Sequence, residues 1–145
     1  MGVNRITAEF VYSLDSEPIR NGFVEYEDDG TIIRTGECAP EEEVMPGAIV
    51  PGFVNAHCHV ELSHLHKKFR KGTGMAGFID QINELRDWAG FEVKQQLVRK
   101  WMDKMWNDGV SAMADISNDD ASFDVKKSHP MYTRTFLEVF GSEPE

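Results

Sequence analysis

Between Phe53 and Leu62 the chain sorts its residues into two alternating series. Phe53, Asn55, His57, His59 and Glu61 form one; Val54, Ala56, Cys58, Val60 and Leu62 form the other. Successive side chains of a strand point to opposite faces. A strand over 52–62 would therefore own one wholly apolar face, suited to packing against helices. Its other face would grow polar toward the C-terminal end. His57 and His59 would stand on that polar face, about 6.5–7 Å apart at the backbone. Two neutral imidazoles so placed can reach one ion through bonds of about 2.0–2.1 Å. A pair of buried histidines satisfied by hydrogen bonds is the alternative that His-X-His alone leaves open. The lead-in Pro51-Gly52-Phe53-Val54-Asn55 and the two-faced pattern favour the metal.

The residues before this strand read as β structure without a helix. Arg5–Ser13 alternates and carries β-formers. Gly22–Tyr26 and Thr31–Thr35 flank Asp28-Asp29-Gly30, a hairpin signal because Asp and Gly tolerate positive φ. Ala48–Val50 is a short strand between Pro46-Gly47 and Pro51-Gly52. The expectation is an antiparallel β layer over 1–50. After the histidine strand the character changes. The spacing predicts a helix over about 77–89, with Phe78, Ile79, Ile82, Leu85 and Ala89 as its apolar stripe and Gly90 as its C-cap. A second helix is expected over about 91–107. A strand over 109–117, a short helix over 122–128 and a strand over 132–140 follow. The order β–α–α–β–α–β predicts parallel strands.

Charge and composition exclude several classes. The net charge is −10, which argues against binding nucleic acid through phosphates. The basic run Lys67-Lys68-Phe69-Arg70-Lys71 is short and reads as a solvated loop. No window approaches the roughly 18 uncharged apolar residues of a membrane span, and the first residues lack a signal-peptide core. A cytoplasmic setting is expected. Cys38 and Cys58 do not suggest a disulfide framework.

Residues 51–59 resemble the first-strand signature of the amidohydrolase superfamily. Val60-Glu61-Leu62-Ser63-His64-Leu65 and Gly72-Thr73-Gly74 resemble its cytosine deaminase/chlorohydrolase branch, and within it proteins related to aminodeoxyfutalosine deaminase. The resemblance implies an α/β fold: the N-terminal part of a TIM (β/α)8 barrel, about three strands over 51–145, preceded by part of a β-sandwich over 1–50. It implies His57 and His59 as the first two ligands of one divalent ion, zinc or iron. The family's chemistry is metal-assisted hydrolysis of non-peptide carbon–nitrogen bonds, in the deaminases with loss of ammonia from an amidine-like ring carbon. The partner is then a small-molecule substrate, with neither nucleic acid nor membrane involved and a homo-oligomer left open. The family's remaining ligands and its proton-shuttling Glu would lie beyond Glu145, so the catalytic residues are unassigned. A barrel takes about 250 residues, so the chain is expected to be a fragment with an incomplete site, inactive and either poorly stable or self-associating alone.

The weaker candidates are Glu61 and His64, as residues meeting substrate at the barrel mouth; His66 reads as an exposed loop residue. Ser111, Met113, Asp115 and Ser117 are expected to face inward, with Val110, Ala112, Ala114 and Ile116 toward the helices. Asp115 reads as structural, Cys58 as core and His129 as surface. Arg134, Phe136 and Glu138 share a face. Two rivals stand beside the deaminase reading: an amidohydrolase with another leaving group, a cyclic amide or chloride, and a non-catalytic metal-binding or assembly module.

Overall fold

The computed structural model describes residues 2–139. They form two compact units that divide after Pro51.

In the first unit β1 (Val3–Val11) pairs antiparallel with β2 (Ile19–Glu27), and β2 with β3 (Ile32–Glu37). The β2–β3 hairpin closes where Gly30 takes φ +89° and Glu27 N–H donates to the Thr31 carbonyl at 2.9 Å. A side chain there would be strained, which is why Gly follows the two aspartates. β4 (Ala48–Ile49) lies on the other edge of β1 and runs parallel to it, giving the order β3-β2-β1-β4. The layer is therefore mixed, not antiparallel throughout as its turns suggested. The N–H groups of Glu9, Phe10 and Tyr12 donate to the carbonyls of Met45, Gly47 and Ile49, so the returning chain takes the free edge of β1 in β1's own direction. Ala8, Val11, Phe23 and Val24 are buried in this unit.

In the second unit β5 (Phe53–Cys58), β6 (Val110–Ser117) and β7 (Tyr132–Leu137) form a parallel sheet in that order. The parallel arrangement is the one that the strand–helix alternation predicts. Phe140, the end of the strand expected over 132–140, lies outside the described residues. Three helices belong to this unit: α1 (Gly74–Leu85), α2 (Phe91–Asn107) and α3 (Phe123–Ser128). Val98 and Met102 of α2, Met113 of β6, Val125 of α3, Val60 and Met131 make its core, with Cys58 packed against them. Each deleted side chain in such a cluster typically costs about 2–5 kcal/mol.

Three local expectations change. Gly90 does not cap α1; it is the extended residue before α2, with φ −65° and ψ 161°. The α1 stripe is buried only in part: Phe78 and Ile79 are exposed, Ile82 and Leu85 half-buried and Ala89, beyond the helix, buried, while within the helix Gln81 is the buried side chain. Gln81 accepts from Arg70 N–H at 2.7 Å and donates to Thr73 Oγ1 and the Gly77 carbonyl, so it pins the preceding loop to the helix.

Val110 packs against the helix-side core as expected, but from Ala112 to Ser117 the faces of β6 are the reverse of those expected. Met113 packs on α2 and α3, and Asp115 and Ser117 meet Lys126 of α3. Ala112, Ala114 and Ile116 take the other face by alternation. A helix can cover a polar face when it brings the counter-charge with it, and Lys126 does so. The face away from the helices carries Val54, paired with Ala112, which pairs with Tyr132; Ile116 pairs with Phe136. Val54, Tyr132 and Phe136 are exposed there. Among the described residues no helix is long and apolar enough to cross a membrane.

Candidate metal centre

The site begins at the Pro-Gly lead-in. A Cβ on Gly52 would lie 2.4 Å from Ser111 Oγ, so only glycine lets the start of β5 approach β6 this closely. Phe53 N–H then donates to the Gly109 carbonyl at 2.8 Å. Pairing with β6 is regular in neither half of the strand: the register shifts between Phe53 and Val54 and again between Asn55 and Cys58. Asn55 pairs with Met113 and Cys58 with Asp115, both on the helix-covered face. Asn55 accordingly donates to Met105 Sδ of α2 at 3.7 Å. The irregularity means that Asn55 does not share a face with the histidines, as strict alternation would require. Such bulges re-aim side chains at strand ends.

Past the shift, Cys58 turns toward the core and its neighbours His57 and His59 turn away from it. Their rings come together with centroids 5.3 Å apart and planes at 61°. His57 is exposed and His59 partly so. Burial, reinforced by the negative charges of Asp115 and Glu61, pushes the Cys58 thiol up to about 11, which suits a core role.

The strand stops at Cys58, four residues short of the expected end. A 3-10 helix (Val60–Leu65) replaces it and carries Glu61 and His64. What starts this helix is Asp115: its Oδ1 accepts the Val60 N–H at 2.7 Å, immediately after His59. Asp115 is fully buried, accepts from Ser117 Oγ at 2.7 Å and is ion-paired to Lys126. Lys126 Nζ also donates to Ser117 Oγ and Thr135 Oγ1, each at 3.1 Å. Residues of β6, α3 and β7 thus converge on the peptide that follows the histidines. Lys126 escaped the sequence reading because nothing in its own helix distinguishes it from Lys127; its partner lies eleven residues upstream on another element.

Glu61 is 1% exposed. Burial, and behind it the charge of Asp115, raises its carboxyl to about 7, while the backbone N–H groups of Glu61 and Asn118 pull the other way without bonding to it. Its Oε1 lies 3.7 Å from His59 Nδ1. His64 is also buried, with Nδ1 2.9 Å from the Glu61 carbonyl and Nε2 2.9 Å from the Arg86 carbonyl. A substrate contact through His64 would require one of these bonds to open. His66 is exposed beside Trp101. The His129 ring is buried, not at the surface: its Nδ1 accepts from Met131 N–H at 3.1 Å, and its Nε2 faces Asp103 at 3.2 Å. A cavity of about 350 Å³ at the ends of β5 and β6 is lined by Glu61, His64, Lys94, Asn118 and Asp119 among others. His59 borders a more apolar one of about 360 Å³ with Leu62, His66, Trp101 and Met105.

The two histidines offer an ion two nitrogen donors on one edge. No group of three or more His, Cys, Asp or Glu side chains suited to a metal occurs among the described residues. Two neutral imidazoles suit a divalent ion and supply part of a ligand set.

Solved structures of similar fold include two deaminases and a chlorohydrolase. Aminofutalosine deaminase from Helicobacter pylori, in complex with methylthio-coformycin, superposes with a TM-score of 0.79 over 98% of this chain at 22% identity. The guanine deaminase of C. acetobutylicum with bound guanine gives 0.69 over 92% at 10% identity. Atrazine chlorohydrolase from Arthrobacter aurescens TC1, complexed with zinc, gives 0.69 over 92% at 15%. Over its own length the chain shares the fold of the matching part of these proteins. They are amidohydrolase-superfamily structures, the family that residues 51–59 resemble. At these identities the likeness is one of fold, and the chain spans only 36%, 36% and 35% of their respective lengths. No protein-family model and no curated protein matches the chain.

Proposed function

We propose that this chain is part of an amidohydrolase-type, metal-dependent hydrolase of non-peptide carbon–nitrogen bonds, acting as a deaminase on a small ring substrate of amidine type. The observation that carries the reading is the His57–His59 pair, with rings 5.3 Å apart, at the C-terminal end of the first strand of a parallel sheet. In (β/α) barrels that end is where active sites sit. Residues 52–139 are read here as the opening strands of such a barrel, and residues 2–51 as part of a β-sandwich. The apolar, exposed face carrying Val54, Tyr132 and Phe136 supports the first of these, since a closed barrel would fill that side with side chains.

In this reading His57 and His59 hold one divalent ion, zinc or iron. Such an ion supplies Lewis acidity and an activated nucleophile at neutral pH. The chain's own contribution is positional. Gly52 sets the close approach of β5 to β6, and the shift after Asn55 turns both rings to one side. Asp115 fixes the peptide that follows them. Glu61 and His64 line the neighbouring cavity where a substrate would lie. The free state of Cys38 and Cys58 supports a cytoplasmic setting.

Metal analysis of the purified protein tests the assignment. His57→Ala and His59→Ala should each lower zinc or iron content at least several-fold; unchanged content in both would sink it. The likeness to atrazine chlorohydrolase keeps a second reading open, hydrolysis with chloride as the leaving group. Release of ammonia or of chloride from aminated and chlorinated ring compounds distinguishes the two. Metal binding with neither product from any ring compound would favour a non-catalytic module.

A further inference from the structure

We infer that Glu61 is a positioning residue for His59, holding its ring so that Nδ1 carries the proton and Nε2 is presented to the metal. The inference rests on the reading of His57 and His59 as metal ligands.

Buried polar atoms in folded proteins almost always have partners, and an exception calls for an explanation. Among the described residues three buried side-chain nitrogen or oxygen atoms lack a hydrogen-bond partner: His59 Nδ1, Glu61 Oε1 and Glu61 Oε2. All three belong to one contact. Nδ1 and Oε1 face each other at 3.7 Å, beyond a hydrogen bond but within reach of a small ring rotation. Two lone pairs facing each other repel, so with Oε1 as the acceptor the nitrogen opposite it is the one bearing hydrogen. That leaves the lone pair on Nε2, at the far edge of the ring. The His59 side chain is about one-third exposed although Nδ1 is buried, so the ring's open portion is the part away from Glu61. Carboxylates that orient metal-bound histidines in this way fix the tautomer and raise ligand basicity.

The scaffold around Glu61 is suited to orienting another group. The carboxylate oxygens are closed to solvent, so they meet no substrate without a rearrangement. The 3-10 helix that carries Glu61 is tied at its first residue to Asp115, which is itself locked by Lys126 and Ser117. The contact between residues 59 and 61 is thus set by β6 and α3 and does not depend on a free loop.

The test uses the whole 145-residue chain. Nitrogen-15 ring spectra of the histidines, recorded without metal at about pH 8, should place the His59 proton on Nδ1. Glu61→Met removes the acceptor and should move that proton toward Nε2. Glu61→Gln keeps a carbonyl acceptor and should retain it on Nδ1. Zinc affinity, measured by competition with a chromophoric chelator, should fall about 10-fold or more in Glu61→Met and less in Glu61→Gln. A wild-type ring protonated on Nε2 would overturn the inference. So would a Glu61→Met chain with an unaltered ring, or one with unaltered zinc affinity while His59→Ala loses it. Zinc affinity indifferent to both His57→Ala and His59→Ala would instead overturn the metal reading, and the metal-free ring spectra would still judge the contact.

Discussion

In residues 2–51 the carboxylate of Glu25 sits between two arginines. Arg34 Nε donates to one oxygen at 2.6 Å and Arg5 Nη1 to the other at 2.7 Å, and both guanidinium groups lie over the Phe23 ring. In residues 52–139 the carboxylate of Glu61 has no such clasp; it is buried and meets the edge of His59. The two acids are displaced in opposite directions. Hydrogen bonding by Arg34 above all, with Arg5 adding to it, holds Glu25 below the usual carboxylate range against an opposing effect of burial second only to Arg34's, whereas burial and Asp115 lift Glu61 to about 7. Asp115 is a third case, as buried as Glu61 but matched by Lys126. The contrast separates a carboxylate that serves the sheet from one that costs the fold free energy. A group whose ordinary protonation is displaced at the fold's expense is a mark of functional sites.

The largest effect should come from unmatching Asp115. Lys126→Ala leaves a buried, unpaired carboxylate and removes the support of the 3-10 helix, so chemical denaturation should register a loss of about 3–5 kcal/mol. A cost no greater than that of a surface substitution would erase the distinction between Asp115 and Glu61.

Next comes Glu61 itself. Its folded-state carboxyl lies above its ordinary value of 4.5, at about 7. The folded chain therefore holds this proton more tightly than the unfolded one, and stability falls as pH rises from about 4.5 through about 7. In metal-free protein Glu61→Gln should be the more stable chain by about 1–3 kcal/mol at about pH 8, with the difference gone near pH 4. Thermal melts across that range check the sign. A variant less stable than wild type at high pH would mean that the charge is already compensated.

The smallest effect should belong to the Glu25–Arg34 pair, whose guanidinium is 60% exposed and so open to solvent screening. The folded-state carboxyl of Glu25 is lowered, so its contribution is present above its ordinary value and lost as pH falls. Arg34→Ala should lower the melting temperature slightly at neutral pH and not at all in strong acid or high salt. Opposite pH trends for Arg34→Ala and Glu61→Gln would sharpen the comparison; parallel trends would break it.

How far these features are legible in the amino-acid sequence depends on their range. The β character of the first fifty residues, the extents of α2 and α3, the parallel order of β5–β7 and the pairing of His57 with His59 all follow from local pattern. The β4–β1 pairing did not, because edge choice depends on where a returning chain finds free N–H groups. Phe78 and Ile79 show the same limit: an apolar stripe states what a helix could bury, and only a neighbour decides whether it does.

Within the site, the sequence by itself determined that two imidazoles and a glutamate follow a Pro-Gly-led strand, since spacing and side-chain chemistry are local. The tertiary structure decided which way they point. Pairing with β6 breaks the alternation between Asn55 and Cys58, because β5 must follow β6's hydrogen-bonding register and not its own period of two. It ended the strand at Cys58, because Asp115, held by Lys126 from α3, captures the Val60 N–H. Glu61 thereby left the strand face and was buried against His59, a contact made by residues more than fifty positions away.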